Sequence, residues 1–192
     1  MGRKQDIKIK FTIILIIFFF TLLKNTYAES FKDIFKEGGK IIFIRHANAP
    51  GNGDPNNFKL NDCTTQRNLD QKGINQSKRI GNFFKKNNIP IDKILTSEWC
   101  RCKDTAKYAF NNYKTFSALN SFYDIKFKKN KKKQINDLKK YIENWNNLEK
   151  NLVLITHFVV IMEITGKGAS SGEMIVVDKK FNLLGNFRSD LE

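Results

Sequence analysis

The chain is 192 residues long, 41% hydrophobic, and carries a formal net charge of +15 at pH 7. That length is enough for one domain with a sizeable core, and the lack of internal repeats or a long linker argues against a repeat array. The charge draws anionic partners, such as phosphorylated small molecules, acidic lipid or polysaccharide surfaces, or nucleic acid. Lys, Asn, Ile and Phe are all abundant, however, as an A/T-rich coding bias would produce, so charge alone identifies none of them.

The first 28 residues read as a secretory signal. "MGRKQDIKIK" is basic, "FTIILIIFFFTLL" (11–23) is mostly apolar, and "KNTYA" places Thr26 and Ala28 at −3 and −1 of a cut before Glu29. The apolar run is shorter than the roughly 18–20 residues that span a bilayer, so the expected division is a signal peptide at 1–28 and one domain at 29–192, with an uncleaved anchor as the alternative. Either way the remainder is expected outside the cytoplasm, periplasmic or secreted, with no transmembrane span once the signal is cut. Residues 1–28 hold five basic side chains and one acid, which leaves +11 on the rest.

The next elements follow in order. "KIIFI" (40–44) is a continuous apolar run of the kind found in buried parallel strands. Residues 47–68 form a long polar loop broken by Pro50, Gly51, Gly53 and Pro55. A helix is predicted from about Asp70 to Asn87, with Ile74, Ile80, Phe83 and Phe84 on one face. "IDKILTS" is a short strand ending at Ser97, a helix runs from Cys100 to about Phe110, and "TFSAL" is a weak strand. The lysine run "KFKKNKKK" (126–133) reads as a solvated loop. Ile135, Leu138, Tyr141, Ile142, Trp145 and Leu148 predict an amphipathic helix over 133–148. "NLVLIT" (151–156) is a second buried strand, "IMEIT" a short helix, and "EMIVVDKKFNLLGNFR" an edge hairpin. Strands alternating with helices imply an α/β fold, three-layer with a mostly parallel central sheet flanked by helices.

In such sheets ligands sit at the carboxyl ends of the strands. Arg45 and His46 follow the first strand, Ser97 and Arg101 the second, and His157 the strand at 151–156. Both histidines of the chain are therefore expected on one rim beside two arginines. Guanidinium groups are rigid, bidentate partners for phosphate oxygens. A neutral imidazole is a nucleophile towards phosphorus, and neighbouring positive charge would keep His46 unprotonated. Phosphoryl transfer needs alignment and charge stabilisation above all, and these groups supply both without a metal. Three cysteines with no C-x-x-C argue against a zinc site of that spacing. An oxidising compartment permits one disulfide, Cys63 with Cys100 or with Cys102.

"RHA" after a strand, "QRNLDQKGINQSKRIGNFF", "TSEWCRCKDTA" and "LITH", in that order, resemble the histidine phosphatase superfamily, the phosphoglycerate-mutase-like clan, as a small exported member of branch-1 type. The resemblance implies that His46 becomes phosphorylated while Arg45, Arg101 and His157 hold the phosphoryl group. Asn52 matches a phosphate-contacting Asn of some members, and Ala47 stands where the clan usually has Gly. Many members protonate the leaving oxygen with a Glu where this chain has Ser121, others with an Asp where it has Phe158. Glu173 is the favoured substitute acid, because it precedes a strand near His157, with Asp124 and Asp62 behind it. The expectation is an exported, metal-independent phosphomonoester hydrolase with no cofactor. Its partner would be a phosphorylated small molecule or an envelope glycan, not a nucleic acid. A non-catalytic phospho-ligand-binding protein and a phosphohistidine phosphatase are the alternatives, and a metal-binding domain built on His46, His157 and the cysteines is a more remote one.

Overall fold

The continuous apolar runs become the middle of a six-stranded sheet, because a strand buried on both faces has no use for alternation. The computed structural model describes residues 33–188, so the expected signal at 1–28 lies outside the described residues. The strands are β1 (Ile41–Arg45), β2 (Ile91–Thr96), β3 (Lys114–Thr115), β4 (Asn151–Thr156), β5 (Glu173–Val177) and β6 (Leu183–Arg188), in the spatial order β3-β2-β4-β1-β5-β6. The pairs β1–β4, β2–β4 and β2–β3 are parallel; β5 is antiparallel to β1 and β6. The hairpin that closes the chain therefore adds an antiparallel edge to a parallel centre, with β6 at the margin.

The helices that follow β1 are α1 (Gln71–Lys86), α2 (Cys100–Phe110), the single turn α3 (Ile125–Lys128), α4 (Lys131–Asn144) and α5 (Phe158–Thr165). They form the two outer layers. On one face of the sheet Ile41, Phe43, Leu152 and Leu154 join Ile135, Leu138 and Ile142 of α4 and Val160 and Ile161 of α5 in one core cluster. The alternate residues Ile42, Ile44, Val153 and Ile155 are also completely buried, on the side where α1 and α2 pack together and α2 meets β2 and β4. There Phe35, Phe83 and Phe84 form edge-to-face pairs, and Phe187 stacks on Phe83 at 4.3 Å.

The predicted elements differ from the structure in several places, among them the start of α5 at Phe158 rather than Ile161 and a 3₁₀ turn, Cys63–Thr65, inside the long loop. The lysine run is not a loop throughout: Lys126 and Lys128 lie in α3, and Lys131 opens α4. α4 ends at Asn144 with Trp145 as its cap, whose indole donates to Asp92, so Leu148 falls outside the helix and is 72% exposed. "TFSAL" gives only the last residue of β3 and then a 3₁₀ turn, Ser117–Leu119.

Cys63 is bonded to Cys100, and Cys102 remains a buried thiol. The bridge closes a separation of 37 residues, which constrains the unfolded chain by about 3–4 kcal/mol. Reducing it is expected to lower Tm by about 10 °C; an unchanged Tm with and without reductant would contradict this. Among the described residues no helix is long and apolar enough to cross a membrane.

Candidate active site

Three parallel neighbours, β2, β4 and β1, end in step. His46 N donates to Thr156 O and Ser97 N to Ile155 O, each at 2.9 Å. Adjacent strands lie roughly 4.8 Å apart, so the residue after β4 emerges between those after β2 and β1. His157 accordingly sits between Ser97 and His46, with the two imidazole centroids 5.4 Å apart. Arg45 ends β1 and Arg101 lies on the first turn of α2. All four of Arg45, His46, Arg101 and His157 line one cavity of about 150 Å³, and Asn52 lines it too. A larger depression of about 590 Å³ opens at the opposite end of the sheet, beside Asp92 and Trp145, and its lining contains neither His nor Arg.

The motif spacings have local causes. Thr105, four residues after Arg101, accepts the Ala47 amide at 3.0 Å and donates to Arg101 O at 2.7 Å, tying α2 to the backbone beside His46. Asp70 caps α1 through Gly73 N and accepts from Asn48 Nδ2, so the helix is fixed to the same loop. Gly73 permits that approach: a Cβ there would stand 2.1 Å from Asn48 O.

His46 Nδ1 lies 2.8 Å from Ala47 O. A carbonyl only accepts, so Nδ1 carries the proton and Nε2 keeps its lone pair. Burial, and after it Arg101, push the ring well below the ordinary histidine range; the Ala47 carbonyl opposes this, while Arg45 and Arg67 add to it. The sequence reading credited the arginines, but removal from water is the larger cause. His157 is lowered by burial first, then by Arg101 and His46. Its Nε2 is 2.9 Å from Ser97 Oγ, which also bonds Asn120, and Asn120 is held by Glu98. Ser97 thus orients the second imidazole. Burial pushes the nearby Cys102 thiol up to about 12, so it stays protonated.

The arginines are positioned but not consumed. Arg45 donates through Nη1 to Ala169 O at 2.9 Å and stacks over Phe158. Arg101 donates through Nη1 to Asp54 at 2.7 Å, and its Nη2 stands 3.5 Å from His157 Nδ1. The Nε groups of both are buried with no hydrogen-bond partner among the described residues. A buried guanidinium N–H left unpaired is costly, and both arginines line the cavity, where an anion would offset their charge.

Two charged lining residues were missed by the sequence reading. Arg67 is fixed by Ala49 O and Gly53 O and brings a third guanidinium to the cavity. Asp54 pairs with Arg101 and accepts the Trp99 indole at 3.0 Å. Both come from the long loop, where no periodicity marks a residue that turns inward.

Of the carboxylates proposed as acid, Glu173 does not line the cavity. It is buried at the start of β5, with Oε2 accepting from Ser170 N at 2.6 Å and Oε1 from Asn186 at 2.7 Å. Its charge bears on Arg45. Asp62 caps the 3₁₀ turn Cys63–Thr65 and also lies off the cavity. Asp124 does line it, as the cap of α3 and 3.6 Å from Lys126.

The sequence matches the histidine phosphatase superfamily (branch 1) over residues 41–162, more than half of the chain. The chain belongs to that superfamily. The chain shares its fold with a SixA protein histidine phosphatase solved with tungstate, at 15% identity, TM-score 0.57, and 80% of this chain against 99% of that one. It also resembles a phosphoglycerate mutase from Thermus thermophilus, at 16% identity, TM-score 0.54, covering 77% and 98%. A third likeness is a phosphoserine phosphatase mutant from Entamoeba histolytica, at 18% identity, TM-score 0.53, covering 78% and 97%. Such identities establish the common architecture, whose mostly parallel sheet flanked by helices was expected. Among curated proteins none matches this chain.

Proposed function

We infer that the protein is an exported phosphomonoester hydrolase that works through a phosphohistidine on His46. One observation carries the reading: a neutral, buried imidazole whose Nε2 lone pair is fixed by the Nδ1–Ala47 contact, in a cavity lined by Arg45, Arg67 and Arg101. His46 Nε2 would attack phosphorus while Arg45, Arg101 and His157 stabilise the equatorial oxygens, with Asn52 as a further contact. Arg67 would add positive charge. Three guanidinium groups can supply this stabilisation without a metal, so hydrolysis is expected to survive chelators.

The cavity, about 150 Å³, is only about five times the ~30 Å³ share of one water, well below the roughly 300–1,000 Å³ of sites that engulf a drug-sized ligand. It suits a phosphoryl group, leaving the rest of the substrate beside the more exposed lining residues Tyr123 and Phe158. A sugar phosphate of an envelope glycan or a small organic phosphate fits that description. Export is supported by the signal-like residues 1–28 and by the Cys63–Cys100 bond, which suits an oxidising compartment.

Ser121, standing on the cavity wall where many members carry their acid, favours a second reading: a phosphoramidate substrate, such as a phosphohistidine, whose leaving group hardly needs a proton. Purified protein is expected to hydrolyse an aryl phosphate with EDTA present. Binding of phosphate without any turnover would reduce it to a phospho-ligand-binding protein.

A further inference from the structure

We propose that Asp54 is the missing proton carrier of this site, donating to the leaving oxygen in the first step and taking a proton from the attacking water in the second. The proposal rests on the phosphatase reading above and assigns the role which that reading leaves empty.

Asp54 and Asp124 are the carboxylates that line the cavity. Asp124 caps α3, pairs with Lys126, and its side chain is 38% exposed. Asp54 is 11% exposed at its side chain and points at the phosphoryl clamp itself: Oδ1 on Arg101 Nη1 at 2.7 Å, Oδ2 on Trp99 Nε1 at 3.0 Å. Oδ1 also accepts from Arg67 N at 3.1 Å. An anionic carboxylate thus rests on the guanidinium that must bind the substrate's anion.

The charged groups facing it are Arg101 from α2 and Arg67 from its own loop, with His46, His157, Arg45 and Asp124 across the cavity. Burial pushes the Asp54 carboxyl up, but the Arg101 hydrogen bond and charge, with Trp99 and the Arg67 amide, outweigh burial and hold it below its usual range. A phosphoryl group bound to Arg101 removes that partner and sets negative charge beside the carboxylate. Both changes favour the protonated acid, and the proton can arrive with the monoanion of the ester.

The step then balances. The His46 Nε2 lone pair forms the N–P bond; the P–O bond breaks, its electron pair stays on the leaving oxygen, and that oxygen takes the Asp54 proton. Water next attacks phosphorus and gives its proton to Asp54. The P–N bond breaks back onto Nε2, and inorganic phosphate leaves.

The test is the dependence of kcat/KM on leaving-group basicity, measured with 2,4-dinitrophenyl, 4-nitrophenyl, phenyl and alkyl phosphates on the wild type, Asp54→Asn and Asp124→Asn. Asp54→Asn is expected to lose about 10²–10⁴-fold on alkyl phosphate and little on the dinitrophenyl ester, giving a steep line where the wild type is nearly flat. It should also bind inorganic phosphate more tightly, since no carboxylate competes for Arg101. An equal loss on every ester would mean that Asp54 only holds Arg101 and its loop, and would overturn the proposal. So would a steep line for Asp124→Asn with a flat one for Asp54→Asn. A wild type inert towards all four esters would instead remove the phosphatase reading itself.

Discussion

Replacing Arg101 with Lys is expected to lower kcat/KM about 10²–10³-fold while the protein stays folded. Arg101 is buried on the first turn of α2, held there by Thr105 behind it and by the Cys63–Cys100 bond next to it. Its plane presents Nη1 to Asp54, Nη2 towards His157 and an unpartnered Nε. A lysine keeps the charge and can still pair with Asp54, but one ammonium on a flexible stem cannot offer two parallel donors to a phosphoryl group. Arg101→Ala should behave differently. It strands Asp54 without its cation in a mostly buried position, which typically costs about 3–5 kcal/mol, so it should lose stability as well as activity. Steady-state kinetics with thermal melts separate the two; a lysine variant within about tenfold of wild type would remove the bidentate argument.

Acidification below about pH 6.5 is expected to destabilise the fold, with a limiting slope of about 1.4 kcal/mol per pH unit for each of two histidines. His46 and His157 are both buried and both lowered well below the ordinary value of 6.5. Between the folded and unfolded pKa values the unfolded chain binds the proton and the native state does not, so stability is complete above about 6.5 and falls as pH drops. Asp54, also depressed when folded, adds loss of the same sign at lower pH. Denaturant titrations across this range should show the slope, and His157→Asn should remove about half of it. A flat profile would mean that the rings are not buried neutral.

The site's frame could be read in the sequence because each part follows a strand that is itself conspicuous. "IIFI" and "NLVLIT" are continuous apolar runs, so His46 and His157 are placed by where those runs stop, and parallel pairing of β1 with β4 does the rest. Ser97 and Arg101 were legible as neighbours of a third strand end. What stayed hidden comes from the loop at 47–68. Asp54 and Arg67 are 13 residues apart in a segment without periodicity, and only tertiary contacts, through Gly53 O, Ala49 O and Trp99, turn them inward. Glu173 misled for the opposite reason. It does start a strand near the site, but the carboxylate is taken up by Ser170 and Asn186. The disulfide partner could not be chosen from spacing, because Cys100 and Cys102 are two residues apart on one helix. Which of them faces Cys63 is a matter of helix phase: Cys100 meets the loop, and Cys102 turns to Thr156 and His157.

The most direct measurement mixes the protein with a ³²P-labelled phosphomonoester, quenches within a turnover, and asks where the label is. A neutral Nε2 facing a guanidinium-lined cavity predicts phosphate bound to protein in a form stable in alkali and lost in acid, mapped to the peptide carrying His46, and absent from His46→Ala. Label retained by His46→Ala, or hydrolysis by the wild type with no base-stable phosphoprotein at any quench time, would contradict the account at its centre.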